Sequence, residues 1–280
     1  MRTRSAGRRV IKAGVSMALA ALAAAASPAR AADSVPVGPA PPTSREEGAT
    51  PRPGDGRRTI GRLPANLGMG LVGVFHEDNL VPLLVGGTAA GASSFFDQDV
   101  RDTVTDPFAW SETFETAGGP LYSAVFVAGM FTAGRFAHGD RFRAMTYDML
   151  DAAVVSAAYC SVLKVAVGRE RPNGQDEKSF PSGHTANAFA LAAVAERHYG
   201  WKVGAPAYAL AALMGASRVN EDKHWLSDVV AGATLGYIVG RTVVRVNGRP
   251  LEDGVRRGAA LSVSPILARH ARGVTLSVVF

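Results

Sequence analysis

Seven apolar stretches rich in Ala and Gly, at about residues 66–75, 79–96, 116–136, 144–170, 183–199, 203–216 and 225–245, constrain the fold of this chain most. Gly, Pro and Asp turn signals separate them, and their lengths predict helices. With 47% apolar residues the chain can fill a complete core. The expectation is an all-α helical bundle over residues 66–250.

The ends are built differently. Residues 1–31 have the composition of an export signal: basic Arg2, Arg4, Arg8, Arg9 and Lys12, an apolar stretch from Ala13 to Ala26, and a small-x-small site at Ala29-Arg30-Ala31. Either export route, general or twin-arginine, leads out of the cytoplasm. Residues 32–65 are rich in Pro, Gly and charge and predict a flexible tether. Residues 251–280 form a tail in which Leu261–Leu267 and Val274–Phe280 partly alternate, predicting a small β-hairpin.

The basic balance of the whole chain comes from the leader, which holds six of the 30 Lys and Arg and none of the 24 Asp and Glu. The mature chain then has 24 of each, so charge gives no support to a nucleic-acid partner. Cys160 is the only cysteine, which excludes an intrachain disulfide, and its apolar run predicts a buried structural thiol.

Three short segments carry the chemistry: Lys164-x6-Arg171-Pro172, Pro181-Ser182-Gly183-His184, and Ser217-Arg218-x5-His224-x3-Asp228. Lys164 and Arg171 are seven apart, so one helix would present both on the same face before Pro172 ends it. Ser182 sits at an expected N-cap, and Gly183 lets an anion approach the free N–H groups of the helix that follows. His184 beside them is the expected general acid. Four residues separate His224 from Asp228, so on one helix the carboxylate would hold the ring N–H and leave the other nitrogen free to attack phosphorus. Arg218 adds a donor fork for phosphate oxygens. Gly232, Gly236 and Gly240 make a small-residue stripe that lets a second helix approach, expected to be the one carrying Lys164.

In this order and with these internal spacings, the three segments resemble the type 2 phosphatidic acid phosphatase superfamily, which also contains bacterial acid phosphatases, glucose-6-phosphatase and the vanadium haloperoxidases. The resemblance is tight over about residues 160–230 and extends as a helical scaffold over about 66–245. It implies hydrolysis of phosphate esters with the segments above as the active site. The family has soluble members and six-helix integral ones. Here most apolar runs are broken by charge after about 12 to 17 residues, short of a spanning helix, which favours a soluble or surface-attached protein over an integral one.

The expected function is metal-independent phosphomonoester hydrolysis outside the cytoplasm, through a phosphohistidine at His224. His184 and Asp228 assist, and Lys164, Arg171, Ser182, Gly183 and Arg218 hold the phosphate. No cofactor is expected, and the substrate class extends to lipid phosphates. The alternatives are a vanadium-dependent haloperoxidase, made less favourable by the short 173–180 loop, and a noncatalytic phosphate or lipid-headgroup binding module, which would need neither histidine. His76-Glu77-Asp78, Asp97-Gln98-Asp99, His138-Gly139-Asp140 and Glu221-Asp222 fall in expected loops and lack the repeated spacing of metal ligands. His198 is expected at the surface, suited to a helix C-terminus.

Overall fold

A computed structural model describes residues 55–104, 120–248, 260–268 and 271–279. The stretches expected to be an export signal and, up to residue 54, a tether lie outside the described residues. After a 3-10 turn at Ile60–Arg62 come helices α1 (Leu63–Gly73), α2 (Leu80–Ser94), α3 (Asp97–Thr103), α4 (Pro120–Phe136), α5 (Asp140–Val167), α6 (Gly183–Tyr199), α7 (Trp201–Asn220) and α8 (Leu226–Asn247). Strands β1 (Ala260–Ala268) and β2 (Ala271–Val279) pair antiparallel with Ser264 opposite Thr275. The fold is an all-α bundle followed by the expected hairpin.

The tether ends earlier than residue 65. Asp55 and Arg57 are buried, and Arg58 and Asp55 bind Asp148 and Arg143 of α5, so the chain is fastened to the bundle from Asp55 onwards. Ion pairing at its C-terminal end outweighs the Pro- and Gly-rich composition.

Helix α6 is central and packs against α5, α7 and α8. Its Ala-rich surface allows this: Ala186, Ala190, Ala193 and Val194 are completely buried. The Gly232, Gly236 and Gly240 stripe of α8 meets α6, not the Lys164 helix as the sequence had suggested. A Cβ at these glycines would lie 2.5, 2.1 and 2.5 Å from the carbonyl oxygens of Ser182, Ala186 and Ala190. Only a bare backbone fits at that distance. Met145, Met149, Val155, Val194, Val239 and Val243 then close the core. Burying each of the valines stabilises the fold by about 1.5–3 kcal/mol.

Length and composition allow α5 and α8 to cross a membrane, with mean hydropathies of 1.7 and 1.3. Glu77–Ser94 and Asp97–Thr103, which meet at 60°, make a third candidate if they form one broken span. Run lengths in the sequence point away from spanning helices, but the charges inside α5 include Asp148 and Asp151. Both carboxylates are completely buried inside the bundle, so they do not break its outer face. Apolar side chains stand exposed on α5 and on other helices: Val162 and Val165 on α5, Val81 and Leu84 on α2, Leu121 and Val125 on α4, and Leu210 on α7. A water-soluble monomer rarely exposes so much apolar surface.

Candidate active site

The three sequence segments converge where the C-terminal end of α5 meets the N-terminal ends of α6 and α8. Helix α5 stops at Val167 because Gly168 adopts a left-handed conformation (φ 57°) and its N–H bonds the Lys164 carbonyl at 3.1 Å. This ends the helix before Pro172 can, so Arg171 lies in the following loop and does not share a helical face with Lys164. The two cations still reach one cavity of about 770 Å³, which Gly183, His184, Arg218 and His224 also line.

Each cation is aimed by its own partners. Lys164 Nζ donates to the carbonyls of Lys178 (2.6 Å) and Pro181 (2.9 Å). Arg171 donates through Nε to Asp176 (2.7 Å) and through a terminal nitrogen to the Lys223 carbonyl (3.0 Å). Arg218, nearly completely buried, bonds Glu221 one turn along. Gly183 leaves the cavity open, since a Cβ there would meet nothing nearer than Lys164 Cε at 4.0 Å. Ser182 occupies the N-cap position of α6, but its hydroxyl pairs with Thr185 Oγ1 at 2.9 Å and caps no helix N–H. It is completely buried behind the cavity, as is Asp228.

His224 precedes α8, whose N-cap is Trp225, so His224 and Asp228 are not two residues of one helix. Its Nδ1 lies 2.6 Å from the carbonyl of Ser179, while Asp228 Oδ2 is 3.8 Å away. The ring N–H is therefore held by a backbone carbonyl, which leaves Nε2 with the lone pair. Asp228 acts on the frame around it: it accepts from Ser179 Oγ, from the Trp225 N–H (2.9 Å) and from Arg169 (2.7 Å). Arg169 in turn binds Asp97 (2.8 Å), which accepts from the Ser227 N–H and hydroxyl (2.9 and 2.6 Å).

Both histidines are held below their ordinary range. Burial, then the charges of Arg218, His224, Lys164 and Arg171, bring His184 down to about 4. Burial also lowers His224, with Lys164 and Arg171 adding to it against the opposing pull of Asp228. A dianionic guest would counter the cationic contribution to both shifts.

Sequence reasoning missed Arg169, Asp97 and Ser179. Arg169 lies inside the x6 of the first segment, and Asp97 was weighed only as a metal ligand. Three further readings change. His198 is not a surface residue: its Nε2 lies 2.8 Å from Asp148 Oδ2 in the interior. The Asp97-Gln98-Asp99 group opens α3 and is not in a loop, with Asp97 buried. Cys160 is buried as expected but lies along the cavity wall one turn before Lys164.

Residues 147–250 match the family model of the PAP2 superfamily. Lipid A 1-phosphatase of Porphyromonas gingivalis is 28% identical over 176 residues, covering 60% of this chain and 40% of that relative. Among solved structures, Aquifex aeolicus LpxE is similar over 54% of this chain and 95% of its own, with 21% identity and a TM-score of 0.46. A transmembrane PAP2 type phosphatidylglycerolphosphate phosphatase from Bacillus subtilis is similar over 70% of this chain and 96% of its own, with 19% identity and a TM-score of 0.47.

Proposed function

From the match of residues 147–250 to the family model of the PAP2 superfamily, we infer that this protein is a metal-independent phosphatase of lipid phosphate monoesters, seated in a membrane with its site outside the cytoplasm. The observation that carries this reading is the convergence of Lys164, Arg171, Arg218, His184 and His224 on one cavity whose further wall is apolar. The relative named lipid A 1-phosphatase supports a lipid phosphate as substrate. The basic and apolar leader supports export.

The chemistry follows from the geometry. Lys164, Arg171 and Arg218 neutralise the phosphate oxygens as charge shifts in the transition state. His224 Nε2 attacks phosphorus, and a P–N bond forms as the P–O bond to the alcohol breaks. His184, reprotonated when the dianionic phosphate offsets its cationic neighbours, gives its proton to the departing oxygen. Water then attacks the phosphohistidine, His184 takes the proton, and phosphate leaves as Nε2 regains its lone pair. Asp228, Arg169 and Asp97 keep Ser179 and the His224 loop in register.

A panel of lipid and soluble phosphate esters, assayed in EDTA with acid-free trapping of labelled phosphate, tests this. Phosphate release from lipid esters and a label on His224 are expected. Activity abolished by the chelator and restored by a divalent ion would overturn the metal-independent step.

A further inference from the structure

One helical turn beyond His184, α6 brings Asn187 into the cavity wall, and Ser123 of α4 meets it from the other side. Asn187 Nδ2 donates a hydrogen bond to Ser123 Oγ. The surrounding wall is apolar, formed by Ala124, Val127, Leu150, Ala153, Val154 and Ala157. A polar crossbar in an apolar channel has a cost unless its remaining protons are met.

The unused valences define what it would bind. Asn187 Oδ1 is buried without a partner among the described residues, and the amide nitrogen is the side that meets Ser123, which lines the cavity with it. The bond between the two residues uses one amide proton and one lone pair of the hydroxyl. It leaves a second amide N–H and the Ser123 O–H, which are two donors. A neutral acceptor oxygen complements them. Residues three apart on a helix stand about 5–6 Å apart at Cβ, so the pair meets a guest about one helical turn from His184. The apolar wall around the pair suits the alcohol part of a lipid ester and not its phosphate.

We propose that Ser123 and Asn187 are specificity-determining residues that recognise a carbonyl oxygen on the alcohol part of the substrate, a few bonds from the phosphate ester. The chemistry is that of an acylated alcohol, whether the acyl group is held as an ester or as an amide, and it discriminates against a plain alkyl or prenyl phosphate. This proposal rests on the phosphatase reading above.

The test compares wild type, Ser123→Ala and Asn187→Leu on a diacylglycerol phosphate and on a long-chain alkyl phosphate, in the same mixed micelles. Each variant should lose about 5- to 30-fold in kcat/KM on the acylated substrate, mainly through KM, the worth of one or two neutral hydrogen bonds. On the alkyl phosphate each should stay within about twofold of wild type. Using two variants guards against either one failing to fold. Equal losses on both substrates would make the pair a helix–helix tie and overturn the assignment. A wild type that hydrolyses neither ester would remove the phosphatase reading itself, and the specificity role with it.

Discussion

The bundle holds two buried polar clusters, and they balance charge in opposite ways. In one, around the N-terminal half of α5, Arg58 grips Asp148 through two nitrogens, His198 meets the same carboxylate at 2.8 Å, and Arg143 pairs with Asp55. Asn247 donates to both Asp148 and Asp151 at 2.9 Å. In the other, 16 residues or about 24 Å further along α5, the Lys164 ammonium rests on two neutral carbonyls and shares its cavity with Arg171, Arg218 and two histidines. The first cluster cancels its charge within the chain and fastens the N-terminal segment to the helices. In the second, Asp176 and Glu221 pair with Arg171 and Arg218, while Lys164 meets only neutral carbonyls, so one ammonium facing the cavity has no carboxylate partner among the described residues. Burial alone does not distinguish a structural ion pair from a binding site; the balance of charge does.

Substitutions should divide along the same line. The largest effect is expected for His224→Ala, a loss of about 10⁴- to 10⁶-fold on every ester, the range seen when a nucleophile is removed; near-wild-type turnover would overturn the assignment. Next, Asp148→Ala leaves Arg58 without its carboxylate and should cost about 3–5 kcal/mol of stability. Denaturant melts measure it, and the folded fraction should keep its specific activity. If that activity collapsed as well, the two clusters would not be independent.

At the catalytic end, Lys164→Met should cost about 10²- to 10³-fold in kcat, as for removal of one donor to a charged transition state, with no fall in melting temperature. His184→Ala should lose about 10²- to 10⁴-fold on an alkyl phosphate and much less on a p-nitrophenyl ester, whose phenolate departs without a proton. Equal losses on both esters would remove His184 from the acid role.

The smallest effect is on stability as a function of pH. In the folded protein His184 is held at about 4, below the ordinary histidine value of 6.5. Between those two values the unfolded chain binds a proton that the folded site refuses, so stability should fall as pH drops through this window. His224 is shifted in the same direction. Orthovanadate, which copies the trigonal bipyramid at phosphorus, should offset the fall by filling the cationic cage. A melting temperature that does not respond to vanadate at pH 5 would argue against an anion site there.

The candidate site was legible because its spacings are local, and six of the eight residues singled out line one cavity: Lys164, Arg171, Gly183, His184, Arg218 and His224. What the sequence could not carry is decided by long-range contacts. Whether Gly168 or Pro172 ends α5 is a competition between two terminators, won by the left-handed glycine. The partner of the glycine stripe depends on which helix offers small residues at the same height, and α6 does so with Ala186 and Ala190. The inward orientation of Asp148 and Asp151 is set by Arg58, His198 and Asn247, each remote in sequence. Run lengths alone therefore underestimated how apolar the outside of α5 is. Asp228 was rightly placed near His224, but the carbonyl that holds the ring belongs to Ser179, 45 residues upstream, and no side-chain pattern marks a backbone acceptor.

The backbone contact between α6 and α8 also sets which parts of the protein are free to vary. His184 stands at the head of α6 and His224 just ahead of α8, so the separation of the two histidines is tied to a seam where even a methyl group has no room. Sequence drift along that seam would move the two histidines relative to each other and spoil the in-line geometry. The cavity-wall side chains Ser123, Val127, Leu150 and Val154 of α4 and α5 lie outside that glycine seam. On the proposed reading, the cavity wall can change with the substrate while the distance between His184 and His224 stays fixed.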